Sequence, residues 1–340
     1  MDRQTRFDVR AVRQAVAWLR HNQVDVIHSY NAFANSWGRL LSTLARIPIF
    51  IAGEHGTIWR TDGRLFQLDR IAQRTASAVV ANSRASAGLL EQRYGIDRKH
   101  IHIIANAVAP LPAVDRSSLR RSLGLENAFV VGSVGRLDNP KHYHTLIDAA
   151  VPALATKKEL RFLLIGGGPL ENELRAYVDE LGIADRFTMT GFRPDARRLI
   201  QALDLFVGTS IRESFGNVFV EAALAGLPTI APAVDGIPEV VIHDQTGWLL
   251  TPRAPIRVSH APGATPIHDH ALINGQLSAP RSLEPAELAE AILQLMDNPD
   301  KRAQLGMEAR RRAELQYGLE RYIMSLTSLY RDLATTSSHL

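Results

Sequence analysis

Strand-length apolar runs recur along this chain, each parted from the next by a segment of helix length, and the series breaks once and then restarts. The first run is VDVIHSY (24–30); residues 36–47 read as a helix ended by Pro48, and PIFIAGEHG from residue 48 is the second run. A helix over 65–75, a run over 76–83, a helix over 83–94 with Gly95 as C-cap and a run over 100–108 complete the first series. Such alternation calls for βαβ crossovers and a parallel sheet. PLPAVD (110–115) carries two prolines and no periodicity, which marks a linker. Beyond it come AFVVGSVGRL, a helix over 144–155, LRFLLIGGGP and a helix over 170–181. RFTMTGF, LDLFVGTS and LPTIAPA follow, with a helix over 217–225 between the last two. At 340 residues the chain is long enough for two cores, so two doubly wound α/β domains are expected. Residues 253–280 hold Pro, Gly and His without period and read as a surface loop, after which three helical patterns close the chain.

Composition removes several function classes. Hydrophobic residues are 46% and charged residues 22%, which excludes disorder as the dominant state. Cysteine is absent, so there is no disulfide framework, cysteine-bound zinc or thiol nucleophile. The net charge of +4 is spread among acidic residues and does not argue for nucleic acid. A pI near 9.5 suits an anionic small ligand or an anionic membrane surface. No run reaches the ~18 to 20 apolar residues of a spanning helix, and the arginine-rich start is not a secretory signal. A cytoplasmic protein is expected, with peripheral contact at the inner membrane face.

The most informative stretch is IRESFGNVFVEAALAGLPTIAP (211–232). Glu213 and Glu221 lie eight residues apart, and Ser214, Phe215, Gly216 and Asn217 lead from a strand into a helix. Helix N-termini at the carboxyl ends of parallel strands present free amides to anions, and Gly216 permits close backbone approach. One carboxylate would then face a sugar and the other a ribose. The alternative is a charge favoured by the helix dipole and a solvated helix face. IGGGPLENEL (165–174) is a glycine turn without the GxGxxG spacing. His260, His268 and His270 lack ordered spacing and neighbouring carboxylates, so no metal site is expected there.

Glu213, Gly216 and Glu221, followed by AALAGLPTIAP, match the E-x7-E signature of retaining GT-B glycosyltransferases, and the chain resembles the GT4 family, or glycosyl transferases group 1. VGSVGRLDNPKHYHTLIDA upstream and DGIPEVVIHDQTGWLLTP downstream resemble the same family, and the likeness runs over 7–333 except 253–280. The resemblance implies a GT-B fold, two Rossmann-like domains with a cleft between them. Residues 1–110 would form the acceptor-side domain, 111–315 the nucleotide-sugar domain, and 316–340 a helix packing back toward the first. The first strand resembles a later strand of the family, so a shortened N-terminal domain lacking the usual glycine-rich loop is expected. A partner chain would cover its sheet edge.

The resemblance also assigns roles. Arg136, beside Gly135, and Lys141 would bind the diphosphate, two cations suited to a departing anion. Glu213 would orient the donor sugar and Glu221 the ribose. Backbone groups of Phe192 and Arg193 would read the base. His55 in GEHG would reach the donor sugar from the first domain, with His28, Asn82 and Ser83 as weaker candidates. Glu213, His55, Arg136 and Lys141 form the catalytic set. The family usually has glycine after the lysine, and here it is His142. Metal independence and no cofactor are implied. The expected function is sugar transfer from a nucleoside diphosphate sugar to a carbohydrate or lipid-linked acceptor hydroxyl, in polysaccharide or glycolipid assembly. The alternative is a nucleotide-sugar-binding partner subunit with little transfer activity.

Overall fold

The computed structural model describes residues 8–56, 63–267 and 270–337, so Phe7 and His268 lie outside it. The chain divides into two compact units, residues 1–105 with 322–340, and residues 106–321. The first contains α1 (Val9–His21), β1 (Val26–Tyr30), α2 (Asn31–Ala45), β2 (Ile49–Glu54), α3 (Gly63–Arg74), β3 (Ala78–Ala81), α4 (Arg84–Leu89) and β4 (Ile101–Ile103). Its four described strands are parallel and run in sequence order, β1-β2-β3-β4. The period-2 pattern of β2 explains its layers. Ile49 and Ile51 join Ala78, Val80 and Leu329 in one cluster, whereas Phe50 faces the other way, against Gly38 of α2. Leu329 lies on α13 (Leu319–Ser337), so this last helix covers one sheet face and α2 the other. The expected run over 100–108 shortens to β4, which among the described strands pairs only with β3 at the sheet edge.

The second unit opens with α5 (Arg116–Ser122), β5 (Phe129–Val134), α6 (His144–Thr156), β6 (Leu160–Ile165), α7 (Glu171–Glu180), β7 (Phe187–Met189) and α8 (Ala196–Leu199). It continues with β8 (Leu205–Val207), α9 (Asn217–Leu224), β9 (Thr229–Pro232), α10 (Ile237–Val240) and β10 (Gly247–Leu250). A hairpin of β11 (Ala271–Ile273) and β12 (Gln276–Ser278) precedes α11 (Pro285–Met296) and α12 (Pro299–Gln316). The six-stranded sheet has the order β10-β9-β8-β5-β6-β7 and is parallel throughout. Its strands are nearly continuous apolar runs because both faces are covered. Leu146, Ile147, Phe162, Phe187, Leu288 and Ile292 belong to one core, with the two phenylalanine rings stacked at 5.5 Å.

Residues 253–280 are not a bare surface loop. Ala254, Ser259, Ala271 and Leu272 are buried, and the hairpin β11–β12 lies inside the segment. Local periodicity gives no sign of this, because its partners are distant in sequence.

Candidate active site

In the second sheet the chain winds from β5 outward through β6 and β7, then returns to the other side of β5 with β8. The switch point of a doubly wound sheet therefore lies between the carboxyl ends of β5 and β8, where loops diverge and leave a crevice. Gly135, Arg136 and the turn Asn139–Lys141 follow β5, and residues 208–216 follow β8. Backbone bonds join the two loops. Ile211 N–H donates to Pro140 O at 2.9 Å, and the Thr209 hydroxyl donates to Lys141 O at 2.8 Å.

Two more loops are drawn in by glycine. A Cβ on Gly166 would stand 1.9 Å from Gly135 O, and its φ of +145° also excludes side chains. Gly166 N–H donates to Gly191 O at 3.1 Å, which brings the 191–193 loop alongside. Phe192 projects outward, 79% exposed, and Arg193 is held in plane by Asp195 through two bonds of 2.8 Å.

The electrostatic centre is an ion pair between Lys141 and Glu213, whose side chains are 24% and 15% exposed. Burial alone would lower the Lys141 pKa, but Glu213, with Tyr143, holds it above its usual value. Arg136 is 61% exposed, 3.3 Å from Asp138 and 3.4 Å from Gly263 O, so its guanidinium faces solvent on the loop that carries Lys141. Gly216 caps α9 at φ +87°, and a Cβ there would meet the Phe219 ring at 2.4 Å. The glycine is therefore required by the packing of Phe219 and Glu213 against the start of α9. Phe215 is buried edge-on to Tyr317 at 5.4 Å, so its ring has a packing role. The Asn217 side-chain oxygen accepts from Asn106 at 2.9 Å. Glu221 lies 3.3 Å from Arg197; burial raises its pKa and Arg197 opposes the rise.

Other residues position the centre without being legible as a motif. Arg212 and Asp235 form a buried pair at 2.8 Å, with side chains 2% and 1% exposed. Asp235 also accepts from Glu213 N–H at 3.0 Å. Asp138 and Asn139 are buried next to Lys141. The signal for Asp235 was the DG dipeptide at a turn, since Asp235 adopts φ +44°.

In the first unit, His55 follows β2. Its carbonyl accepts from Asn82 at 3.2 Å, and its ring meets Tyr30 edge-on at 4.6 Å. Burial lowers the His55 pKa to about 4. His28 Nδ1 lies 2.8 Å from the Tyr330 hydroxyl, and Ser83 caps α4. Glu54, next to His55, is buried and accepts from Gly56 N–H at 3.0 Å. Among the described residues, no three His, Asp or Glu side chains are grouped as a metal would require.

Comparison with known proteins places these observations. The family profile for glycosyl transferases group 1 matches residues 115–261, and that for Glycosyltransferase Family 4 matches 1–110. A 2-deoxystreptamine glucosyltransferase of Streptomyces kanamyceticus is 32% identical over 51% of this chain and 47% of its own length. Two other relatives above 30% identity are matched over 42% and 41% of their lengths, so the match spans about half of each. An Escherichia coli UDP-Gal:alpha-D-GlcNAc-diphosphoundecaprenol alpha-1,3-galactosyltransferase is 24% identical over 72% of this chain and 66% of its own. The crystal structure of Anabaena Alr3699/HepE with UDP superposes with a TM-score of 0.76 at 26% identity, covering 95% of this chain and 82% of that one. Sucrose-phosphate synthase of Thermosynechococcus elongatus shares the fold at a TM-score of 0.73 and 20% identity, over 96% of this chain and 78% of that one.

Proposed function

The chain belongs to the GT-B glycosyltransferases of the glycosyl transferases group 1 and Family 4 type, and from that premise we propose that it is a retaining enzyme moving a sugar from a uridine diphosphate sugar to an acceptor hydroxyl. One observation carries this reading. The two loops flanking the switch point bring Lys141 to Glu213 just before the start of α9, with Arg136 exposed on the loop that carries Lys141. An incoming diphosphate competes with Glu213 for the Lys141 ammonium. Once displaced, the Glu213 carboxylate is available to the sugar hydroxyls. Arg136, Lys141 and the α9 amides then meet the charge that grows on the leaving phosphate as the bond to the sugar breaks. The acceptor oxygen attacks the anomeric carbon on the face the phosphate leaves, and the acceptor proton passes to the departing phosphate oxygen. Glu221 is proposed for the ribose, the 192–193 backbone for the base, and His55 as the first unit's contribution to the sugar.

Cationic side chains supply the charge compensation that a divalent metal would supply, so transfer is proposed to be metal-independent. The reading includes assembly of a polysaccharide or glycolipid, with peripheral contact at an anionic membrane face. The Escherichia coli relative, named for a lipid-linked diphosphate substrate, supports that part. Calorimetry with UDP, GDP and ADP, and NMR of the anomer formed from UDP-sugars, test the whole. Expected are UDP binding, product with the donor's anomeric configuration, and no loss of rate with a chelator. Inversion or a need for metal overturns the corresponding part, absence of nucleotide binding overturns the site, and binding without transfer selects the partner-subunit alternative.

A further inference from the structure

The segment 253–280 is bonded to the turn that carries Lys141 and to Asp235, which holds the Glu213 backbone. On the lysine side, the Asn139 amide donates to Ser259 O at 2.8 Å and Thr265 O at 3.1 Å, and its oxygen accepts from Ser259 N–H at 2.9 Å. Asp138 accepts from Thr265 N–H at 2.7 Å and from the Thr265 hydroxyl. His142 Nε2 accepts from Arg257 N–H at 2.8 Å. The ring proton must then sit on Nδ1, 2.7 Å from the Thr145 hydroxyl. On the glutamate side, Asp235 accepts from Leu272 N–H at 2.8 Å, and its own N–H donates to Leu272 O at 2.7 Å. The same carboxylate holds Glu213 N–H and Arg212.

His142 adopts φ +50°, where glycine is at ease and a larger residue is strained. It is the position at which the resembled family usually has glycine. A histidine there accepts that strain and gains a ring that reaches the segment. It must be neutral to accept from Arg257, and burial, with His144 and Arg257 nearby, lowers its pKa to about 4.

We propose that residues 253–267 and 270–280 are a strap that fixes the Lys141 and Glu213 turns relative to one another, and that His142 is its anchor and a positioning residue for the diphosphate clamp. The proposal rests on the reading of Arg136 and Lys141 as that clamp. A loose strap leaves the Lys141 turn free to wander, so diphosphate binding must order it first and loses affinity. By linkage, bound UDP in turn steadies the strap.

The test is UDP calorimetry combined with the rate of tryptic cleavage after Arg257, an exposed site within the strap. His142→Gly is expected to raise the UDP dissociation constant about tenfold and to speed cleavage. His142→Gln, whose amide oxygen also accepts from Arg257, restores both. Thr265→Val, which removes one bond to Asp138 and leaves His142 intact, gives a smaller change in the same direction; it carries the test if His142→Gly fails to fold. UDP slows cleavage of the unaltered protein. Faster cleavage with unchanged UDP affinity overturns the positioning role, and unchanged cleavage overturns the anchor. Lys141→Ala separates the two readings. If it leaves UDP affinity unchanged the clamp itself is misplaced, whereas weaker binding there with normal binding in His142→Gly sinks the strap alone.

Discussion

The Asp235 carboxylate accepts from Arg212, Glu213 N–H and Leu272 N–H, all inside the second unit. Asp235→Ala strands a buried guanidinium, which costs about 3 to 5 kcal/mol. At roughly 2 to 4 °C per kcal/mol for a unit of this size, calorimetry should show the second unit melting well below the unaltered protein. Asp235→Asn keeps acceptor capacity and falls between the two; a loss below about 1 kcal/mol for Asp235→Ala would mean water replaces the partner. Glu213 and Glu221 separate by kinetics. Glu213→Gln should lower kcat more than it weakens UDP-sugar binding, because its sugar contact acts as charge develops. Glu221→Ala should mainly raise KM, since a ribose contact is present in ground and transition states alike. The reverse pattern in steady-state kinetics would exchange their roles. Arg136, Lys141, Glu213 and Glu221 could be singled out in the sequence because they sit in short contiguous motifs, GRLDNPK and the E-x7-E spacing, that carry the family resemblance; their roles are what the kinetics test. Arg212, Asp138 and Asn139 were not, because each acts through a partner distant along the chain.

Elements show the same division. The strand–helix alternation made β1, β2, β5, β6, α6 and α9 legible, since period and caps are local. Helix α1 escaped notice although Asp8 caps it at 2.8 Å from Arg10 N–H, because it buries no side chain and its apolar pattern is diluted by arginine. The strap escaped because it is held by bonds to side chains distant along the chain, those of Asp138, Asn139, His142 and Asp235. At the carboxyl ends of β1 and β2, three groups make a pH prediction. Burial, then Asp69, raises the Glu54 pKa to about 8. Burial lowers His28 and His55 to about 4, with His55 adding to the effect on His28. An unfolded chain releases the Glu54 proton near its ordinary value, so the folded state binds the extra proton between about 4.5 and 8 and stability falls as pH rises through that window. The histidines act oppositely. The unfolded chain takes up their protons below about 6.5, so their contribution is lost as pH falls toward 4. Glu54→Gln should flatten the alkaline arm, to which Asp69, also raised by burial, adds in the same sense, and leave the acid arm. Urea unfolding by indole fluorescence in a Trp248→Phe background reads this, since the remaining tryptophans lie within the first 105 residues. An unchanged slope between pH 6 and 8 in Glu54→Gln would show that Glu54 ionises normally in the fold.

At the scale of the molecule, charge is divided between the units. Residues 1–105 hold 15 Lys and Arg against 8 Asp and Glu, a net +7, and residues 322–340 add one of each sign. The whole chain carries +4, so residues 106–321 carry −3. Two of the first unit's acids, Glu54 and Asp69, are buried, which leaves its surface more basic still. Trp18 on α1 and Phe33 on α2 are each 62% exposed, and Leu44 is exposed near Arg20, which donates to its carbonyl at 2.7 Å. Arginine beside exposed aromatic side chains suits the headgroup region of an anionic bilayer, where each cation near the surface contributes about 1 kcal/mol. The proposed peripheral contact therefore has a defined electrostatic signature. The protein should float with vesicles rich in phosphatidylglycerol, stay behind with phosphatidylcholine vesicles, and be released as salt shortens the Debye length from about 10 Å at 0.1 M to about 3 Å at 1 M. Trp18→Ala should weaken flotation through lost apolar insertion, and Arg10→Glu with Arg13→Glu should abolish it, while UDP affinity stays unchanged because the clamp residues belong to the other unit. Equal binding to both vesicle types, or binding that survives high salt in full, would show that charge does not direct the contact and would leave the basic first unit without this role.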